Sequence, residues 1–301
     1  MLSRQTLPPE AKSISLLWDG LGFFLARKGR QHGIEHWDTR TFHQTHLPQN
    51  PPRWVSRMMR VLFALVFALS FTVSSVAAQH RVALIIGNAA YETAGALDNA
   101  GRDAALAEAV FRSVGYETLF AQDLDGPGMA RQLAAFKIAA DGAEVAAIYF
   151  AGHGFQDRGR NYLMPVDASV SSQDAVVATS LPVEELLAAF PDTATTKLLM
   201  LDACRDAPFS GPGEGLTTPG LARLNHKVAD LMVLYAAQPD HVAFDGPGQN
   251  GPFVRAMAAA LTSRDSVFLS DALVEITDRV KGATLGQQIP YIEGTLSRHV
   301  A

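Results

Sequence analysis

From residue 81 onward, continuous apolar runs alternate with stretches in which apolar residues recur every three or four positions. A short continuous run predicts a strand that is buried on both faces, whereas the spaced pattern predicts a helix with one buried face. The predicted strands are 81–88, 116–122, 143–154, 195–204, 227–238 and an edge strand, 287–294. The predicted helices are 99–115, 126–142, 182–190, 250–263 and 268–282.

Strands that alternate with helices predict an α/β fold with right-handed crossovers and a parallel sheet covered on both faces. Ligands of such sheets bind at the carboxyl ends of the strands. Gly152-His153-Gly154 and Asp202-Ala203-Cys204 each end a predicted strand. We therefore expect both segments at one functional edge of a single domain that spans residues 79–301.

Composition and charge exclude several classes of function. Of the 301 residues, 48% are apolar, which is enough to bury a sizeable core, and the formal net charge is −5. The first 57 residues carry +4, so residues 58–301 carry −9. An acidic body of this kind argues against a nucleic-acid partner. The single cysteine excludes an internal disulfide and any zinc or iron–sulfur site built from several cysteines.

Residues 53–78 have the layout of a secretory signal. Arginines precede an apolar run that begins at Val61, and the small residues 76–78 end it. The run is short for a membrane span of about 20 residues, and it lacks the polar face of a core helix. We expect residues 58–78 to be a signal peptide, or an anchor if the segment is retained, and the protein to be periplasmic or secreted. Membrane association is expected only in the anchored case.

The segment upstream of this signal is predicted to add nothing to the fold. Met58 and Met59 lie where a start codon would give the signal an ordinary length, and residues 1–57 show no clear periodicity. We interpret residues 1–57 as non-structured or as an over-extended start. A peptide of the mature protein that begins upstream of Met58 would contradict this interpretation.

Cys204 lies at the very end of a predicted strand rather than in its interior. A free thiol is either a small buried apolar group or a nucleophile, and this position favours the nucleophile. A nucleophilic thiol needs a neighbouring base, for which His153 is the candidate. Because its neighbours Gly152 and Gly154 offer little side-chain packing, we expect His153 to face solvent.

Two segments resemble the caspases. Residues 201–206, LDACRD, are similar to the caspase nucleophile segment, and YFAGHGFQ with the following NYLMPVDA is similar to the histidine segment. His153 precedes Cys204 by 51 residues, against about 50 in caspases. The resemblance extends from residue 81 to 292 and is to the bacterial caspase-like and metacaspase-like peptidases of clan CD. It implies a caspase-like α/β sandwich, with a mostly parallel central sheet of about six strands and helices on both faces.

The resemblance implies a cysteine endopeptidase with a Cys–His dyad. Cys204 would attack the scissile carbonyl, and His153 would donate a proton to the leaving amine. The backbone N–H groups of Gly154 and Cys204 would form the oxyanion hole, where glycine allows substrate to approach the backbone closely. No third catalytic carboxylate is required.

The substrate pocket departs from that of animal caspases, which bind an aspartate through arginines and a glutamine. Asp202 stands where caspases have the glutamine, and alignment places Asp245 and Asp98 at or beside the arginine positions. Such a pocket should accept Arg or Lys and repel acidic residues, as in metacaspases. Two alternatives stay open, because Asp98 could cap a helix and Asp245 could occupy a turn.

No cofactor is expected to be required, and a calcium ion is left open as an alternative without support from the sequence. Many metacaspases bind calcium, but only Asp157, Asp167 and Asp174 are at hand after the histidine, and calcium needs at least about six oxygen ligands. A flexible linker is expected near residues 206–229.

The alternative function is a catalytically weak caspase-like module for binding or signalling. The chain lacks the G-x-S-x-G motif of other α/β hydrolases. The partners expected are polypeptides with Arg or Lys at the cleavage site, and the oligomeric state is left open.

Overall fold

A computed structural model describes the backbone of four short strands between residues 16 and 38. It then describes residues 58, 80–203, 220–244, 248–263 and 268–297. The chain divides into two compact units, Met1–Ser75 and Val76–Ala301. The second unit contains the segments that carry the predicted chemistry.

The described strands and helices alternate over most of the second unit. The strands of its larger sheet are β5 (Arg81–Gly87), β6 (Glu117–Gln122), β7 (Val145–Ala151), β11 (Thr196–Asp202), β12 (Leu231–Tyr235) and β13 (Tyr291–Gly294). A smaller sheet contains β8 (Gly154–Asp157), β9 (Arg160–Leu163) and β10 (Leu181–Pro182). The helices are α1 (Ala100–Ser113), α2 (Gly126–Ala139), α3 (Gln173–Thr179), α4 (Val183–Ala189), α5 (Pro252–Thr262) and α6 (Leu269–Ala283).

The central sheet has six strands in the order β13-β12-β11-β7-β5-β6. Every neighbouring pair is parallel except β12 and β13, which are antiparallel. Every residue of β7 is buried, and so is β5 after its first residue. Burial on both faces explains why these strands are continuous apolar runs. The predicted α/β class, the six-stranded sheet and the edge strand are therefore confirmed.

The strand order also places helices on both faces of the sheet. The chain moves outward from β5 to the edge strand β6 through α1, and it returns across β5 to β7 through α2. Right-handed crossovers in opposite directions put α1 and α2 on opposite faces. Helix α1 packs on β5 so closely that a Cβ on Gly87 would lie 2.5 Å from the Ala104 Cβ. Helix α5 packs with both α1 and α6, and α4 packs with α2.

The smaller sheet was not predicted from the sequence. Strands β8, β9 and β10 form an antiparallel sheet in which β9 is central. It begins at Gly154, so the chain leaves the edge of the central sheet immediately after His153. Phe155 and Tyr162 stack face to face across β8 and β9, with ring centroids 5.2 Å apart. The smaller sheet therefore fixes the direction in which the chain leaves His153.

Residues 220–224, in the later half of the predicted linker, are hydrogen-bonded to both sheets. The Asn161 side chain accepts from the Ala222 N–H and donates to the Ala222 carbonyl, each at 2.7 Å. The Leu224 N–H donates to Glu293 Oε1 at 2.9 Å. The Arg223 guanidinium lies 4.9 Å from the centre of the Tyr291 ring. The earlier part of the predicted linker, residues 206–219, lies outside the described residues.

The first unit contains two antiparallel hairpins among its described residues. Strand β1 (Leu16–Asp19) pairs with β2 (Gly22–Leu25), and β3 (Arg27–Gln31) pairs with β4 (Ile34–Asp38). The predicted signal lies outside the described residues apart from Met58. That residues 1–57 come from an over-extended start and add nothing to the fold of the second unit stays a prediction. Among the helices that the structure describes, none combines the length and apolar character that crossing a bilayer requires.

Candidate active site

His153 lies in the turn between β7 and β8, at the carboxyl edge of the central sheet. Its backbone N–H donates to the Tyr91 hydroxyl at 2.8 Å, and the two rings are tilted with centroids 4.5 Å apart. The residue is only 7% exposed. The prediction of a solvent-facing histidine is therefore wrong, because Tyr91 supplies the packing that the flanking glycines do not.

The environment of the imidazole determines its tautomer. His153 Nε2 lies 3.0 Å from the carbonyl oxygen of Gly95. A carbonyl only accepts, so Nε2 must carry the hydrogen and donate it. In the neutral ring the lone pair is then on Nδ1, and Nδ1 is the atom that can take up a proton.

Gly154 makes close contact with the residue that precedes the predicted nucleophile. A Cβ on Gly154 would lie 2.6 Å from the Ala203 carbonyl oxygen and 3.0 Å from the Ala203 Cβ. The neighbouring Gly152 N–H donates to the Asp202 carbonyl at 3.4 Å. The histidine turn and the end of β11 are therefore packed backbone against backbone, as the sequence predicted when it placed both at one edge.

Cys204 and Asp245 lie outside the described residues. The structure follows the nucleophile segment as far as Ala203, which is fully buried. Asp202 is the last residue of β11 and is in register with Ala151 of β7. Its half-buried carboxylate accepts a hydrogen bond from the buried Tyr149 hydroxyl at 3.0 Å. Asp202 is thus held at the same edge as His153.

Asp98 differs from Asp202 in being exposed to solvent. It lies in the loop that follows β5, three residues beyond Gly95, and its side chain is exposed. The residue at the N-terminal cap of α1 is Asn99 rather than Asp98. The alternative in which Asp98 caps the helix is therefore wrong.

Comparison with known families agrees with the packing of the histidine turn against the end of β11. The family model Peptidase C14, the caspase domain, matches residues 80–301 of the chain. The chain belongs to the caspase family. Comparison with curated proteins finds no match. The domain is accordingly a cysteine peptidase domain with polypeptide substrates, and the resemblance seen in the sequence is confirmed.

The sequence did not reveal two features of this caspase domain. Tyr91 supports the histidine, but nothing in a loop tyrosine indicates a contact with a residue 62 positions away. Asp103 is 3% exposed, and its Oδ1 accepts from the Gly251 N–H at 3.0 Å and from Asn250 Nδ2 at 2.9 Å. Asp103 lies on the buried face of α1 with Ala100 and Ala107. The sequence offers one signal for Asp103, which is a carboxylate on a helix face that is otherwise apolar.

The aspartates that follow the histidine lie at or near the ends of helices and strands. Asp157 accepts from Gln173 Nε2 at 2.6 Å, and Asp167 accepts from the Gly126 N–H at 3.0 Å. Asp174 is in the first turn of α3. Within the described part of the domain, no group of three or more His, Cys, Asp or Glu residues is arranged to hold a metal ion. The structure therefore shows Asp157 and Asp167 in contact with the first residues of α3 and α2.

Proposed function

We propose that the chain is an exported cysteine endopeptidase that uses a Cys204–His153 dyad and cleaves after Arg or Lys. The observation that carries the proposal is the contact between Gly154 and Ala203. Cys204 is bonded to Ala203, and consecutive Cα atoms are about 3.8 Å apart. The single cysteine of the sequence therefore directly follows a residue that contacts the histidine turn.

The tautomer of His153 supports its role in proton transfer. With Nε2–H donated to Gly95, Nδ1 can take the thiol proton, leaving a thiolate and an imidazolium. The thiolate sulfur of Cys204 would bond to the scissile carbonyl carbon, whose electrons move to the oxygen. The imidazolium would then donate its proton to the departing amine as the C–N bond breaks. Water would hydrolyse the acyl-enzyme and restore the thiol.

The backbone direction at Gly154 supports an oxyanion hole. The Met164 N–H donates to the His153 carbonyl at 3.0 Å, so this pair of residues is hydrogen-bonded across the strands. Bonded and non-bonded pairs alternate in an antiparallel ladder. The next pair, Gly154 and Leu163, therefore directs its backbone groups away from the partner strand. The Gly154 N–H would then donate to a developing oxyanion, and the Cys204 N–H would be the second donor.

The position of Asp202 supports recognition of basic residues. Its carboxylate is held by Tyr149 at the end of β11, two residues before the nucleophile. A half-buried carboxylate attracts a guanidinium or ammonium more strongly than an exposed one, because water screens it less. Asp245 and Asp98 would add negative charge to the pocket.

The test compares the full chain with its Cys204→Ala and His153→Ala variants. Each receives fluorogenic peptides that end in Arg, Lys or Asp before the reporter, with and without calcium. Release from Arg and Lys substrates alone, abolished in both variants, is the expected result. Release from Asp substrates would overturn the pocket assignment but keep the nucleophile. No release under any condition would overturn the peptidase proposal in favour of a binding module.

Export has its own test. The N-terminal peptide of the mature protein should begin after Ala78 if the signal is cleaved. A mature protein that retains residues 58–78 in the membrane fraction would indicate the anchored form. A mature soluble protein that retains residues upstream of Met58 would contradict the proposed signal.

A further inference from the structure

A cavity of about 620 Å³ opens at the amino ends of β11 and β12. Its lining includes Lys197, the second residue of β11, and Ala229, which precedes β12. The carboxyl end of the same strand β11 carries Asp202. The cavity therefore lies at the opposite edge of the sheet from His153, where no step of the proposed reaction takes place.

The cavity is cationic although the body of the protein is acidic. Three lysines line it, Lys137, Lys197 and Lys227, against a single carboxylate, Asp192. Apolar side chains form another part of its wall, namely Leu187, Phe190 and Val228. The cavity thus combines an excess of positive charge with an apolar surface.

Lys197 is the residue that points to a ligand. It is only 6% exposed, and its Nζ donates to the carbonyls of Ala194 at 2.9 Å and Ala229 at 3.5 Å. Both acceptors are neutral. Among the described residues, no carboxylate is within ion-pair distance of this ammonium. A buried cation is costly unless an anion compensates it, and an ammonium has three N–H donors.

We propose that this cavity binds a small anionic molecule, in which a phosphate or carboxylate group is attached to an apolar body. The anionic group would take the third N–H of Lys197, and Lys137 and Lys227 would add to the attraction. The apolar body would pack on Leu187, Phe190 and Val228. This proposal does not depend on the peptidase mechanism, because none of these residues belongs to the catalytic edge.

The competing explanation is that Lys197 only ties the Ala194 and Ala229 backbone together. In that case its charge needs no ligand, and the other two lysines are ordinary surface residues. Lys137 has such a local contact, since its Nζ donates to the Ala188 carbonyl at the end of α4 at 3.0 Å. The two explanations differ in whether the protein binds an anion at all, and in whether its affinity for that anion depends on these lysines.

The experiment measures binding calorimetrically to the full chain carrying Cys204→Ala, so that peptidase activity is irrelevant to the result. The probes are phenyl phosphate, inorganic phosphate and neutral phenol, at constant ionic strength. Phenyl phosphate should bind saturably, inorganic phosphate should compete with it, and phenol alone should not bind. The double variant Lys137→Gln/Lys227→Gln should raise the Kd of phenyl phosphate at least about tenfold, as expected for losing two partly screened charges.

The matched control is Arg131→Gln/Lys281→Gln, which removes two exposed cations outside the cavity and should leave the Kd unchanged. Lys197→Met should abolish binding while circular dichroism confirms the fold. If that variant fails to fold, the double variant decides. The proposal is overturned if phenyl phosphate does not bind saturably, or if the double variant and the control bind it equally.

Discussion

The hydroxyl of Tyr91 joins the backbone of the histidine turn to that of the following loop. It accepts from the His153 N–H at 2.8 Å and donates to the Met164 carbonyl at 3.2 Å. A Cβ on Gly152 would lie only 2.5 Å from this oxygen, which explains why a glycine precedes the histidine. Tyr91 is thus a positioning residue for His153 through both its hydroxyl and its ring.

Tyr91→Phe should keep the ring contact and remove the hydroxyl. The His153 N–H would lose its acceptor, at a cost of about 1–3 kcal/mol. We expect kcat to fall roughly tenfold, corresponding to about 1.4 kcal/mol of transition-state stabilisation, with little change in KM. The pH dependence of kcat should shift because the imidazole is less firmly placed. Tyr291→Phe on β13 is the control, and equal kcat values for the two variants would contradict the prediction.

Asp202→Asn should change specificity more than fold. The Tyr149 hydroxyl can still donate to the amide oxygen, so the melting temperature should change little. For Arg substrates we expect kcat/KM to fall about 100-fold, equivalent to roughly 3 kcal/mol for losing a close charge pair. Asp174→Asn removes an exposed carboxylate elsewhere and should have no such effect. An unchanged preference for Arg in the Asp202 variant would exclude this carboxylate from the pocket.

Gly154→Ala should separate the histidine turn from the nucleophile segment. The new Cβ would lie 2.6 Å from the Ala203 carbonyl oxygen, a contact that requires one backbone to move. Because a displacement of about 1 Å can cost about 100-fold in rate, we expect kcat to fall by at least tenfold in a folded protein. At Gly126 an added Cβ would meet nothing closer than 4.0 Å. Gly126→Ala should therefore retain activity, and equal rates would refute the steric argument.

Tyr116 should make the fold sensitive to alkali. Burial raises the pKa of Tyr116 to about 12, although the positive charge of Arg81 opposes the shift. The folded state therefore binds this proton more tightly than the unfolded state, whose tyrosine titrates near 10. The corresponding stability, roughly 2–3 kcal/mol, is present below pH 10 and is lost as pH rises toward 12.

Urea unfolding at pH 8 and at pH 11.5 measures this effect. Tyr116→Phe should lose less stability between the two pH values than the parent protein. Absorbance at 295 nm during titration of both proteins gives the tyrosine pKa by difference. A difference titration centred near pH 10 would show that the prediction is wrong.

Asn161→Ala should release residues 220–224 from β9. The Ala222 N–H and carbonyl would both lose their partner, and we expect faster trypsin cleavage after Arg223. Mass spectrometry of the products, in the Cys204→Ala background, identifies the cut. Asn250→Ala is the control, since it removes an asparagine in another loop. Cleavage at the same rate in both variants would mean that Asn161 does not restrain the segment.

The elements that could be predicted from the sequence are those whose burial is uniform. Strands β5 and β7 are apolar along their length because helices cover both of their faces. The backbone contact between Gly152 and Asp202 follows from the rule that the carboxyl ends of parallel strands lie at one edge of the sheet. The smaller sheet escaped prediction because its strands have at most four residues, too few to show a period.

The features of the site that were missed depend on contacts between distant parts of the chain. His153 is buried by a tyrosine from another loop, and its tautomer is set by the Gly95 carbonyl, 58 positions earlier. Backbone acceptors leave no trace in side-chain patterns. Asp98 and Asp103 illustrate the same limit, because an alignment cannot show which of two nearby aspartates faces inward.

The placement of the site on β7 and β11 has a consequence for hydrogen exchange. Both strands are bonded to neighbours on each side, whereas β6 and β13 lie at the margins of the sheet. Amide protons of the marginal strands can exchange through local fraying, but those of β7 and β11 should exchange only when the whole domain opens. The edge that carries His153 is attached to the strands whose amides we expect to exchange most slowly. Thermal inactivation should therefore coincide with global unfolding rather than precede it.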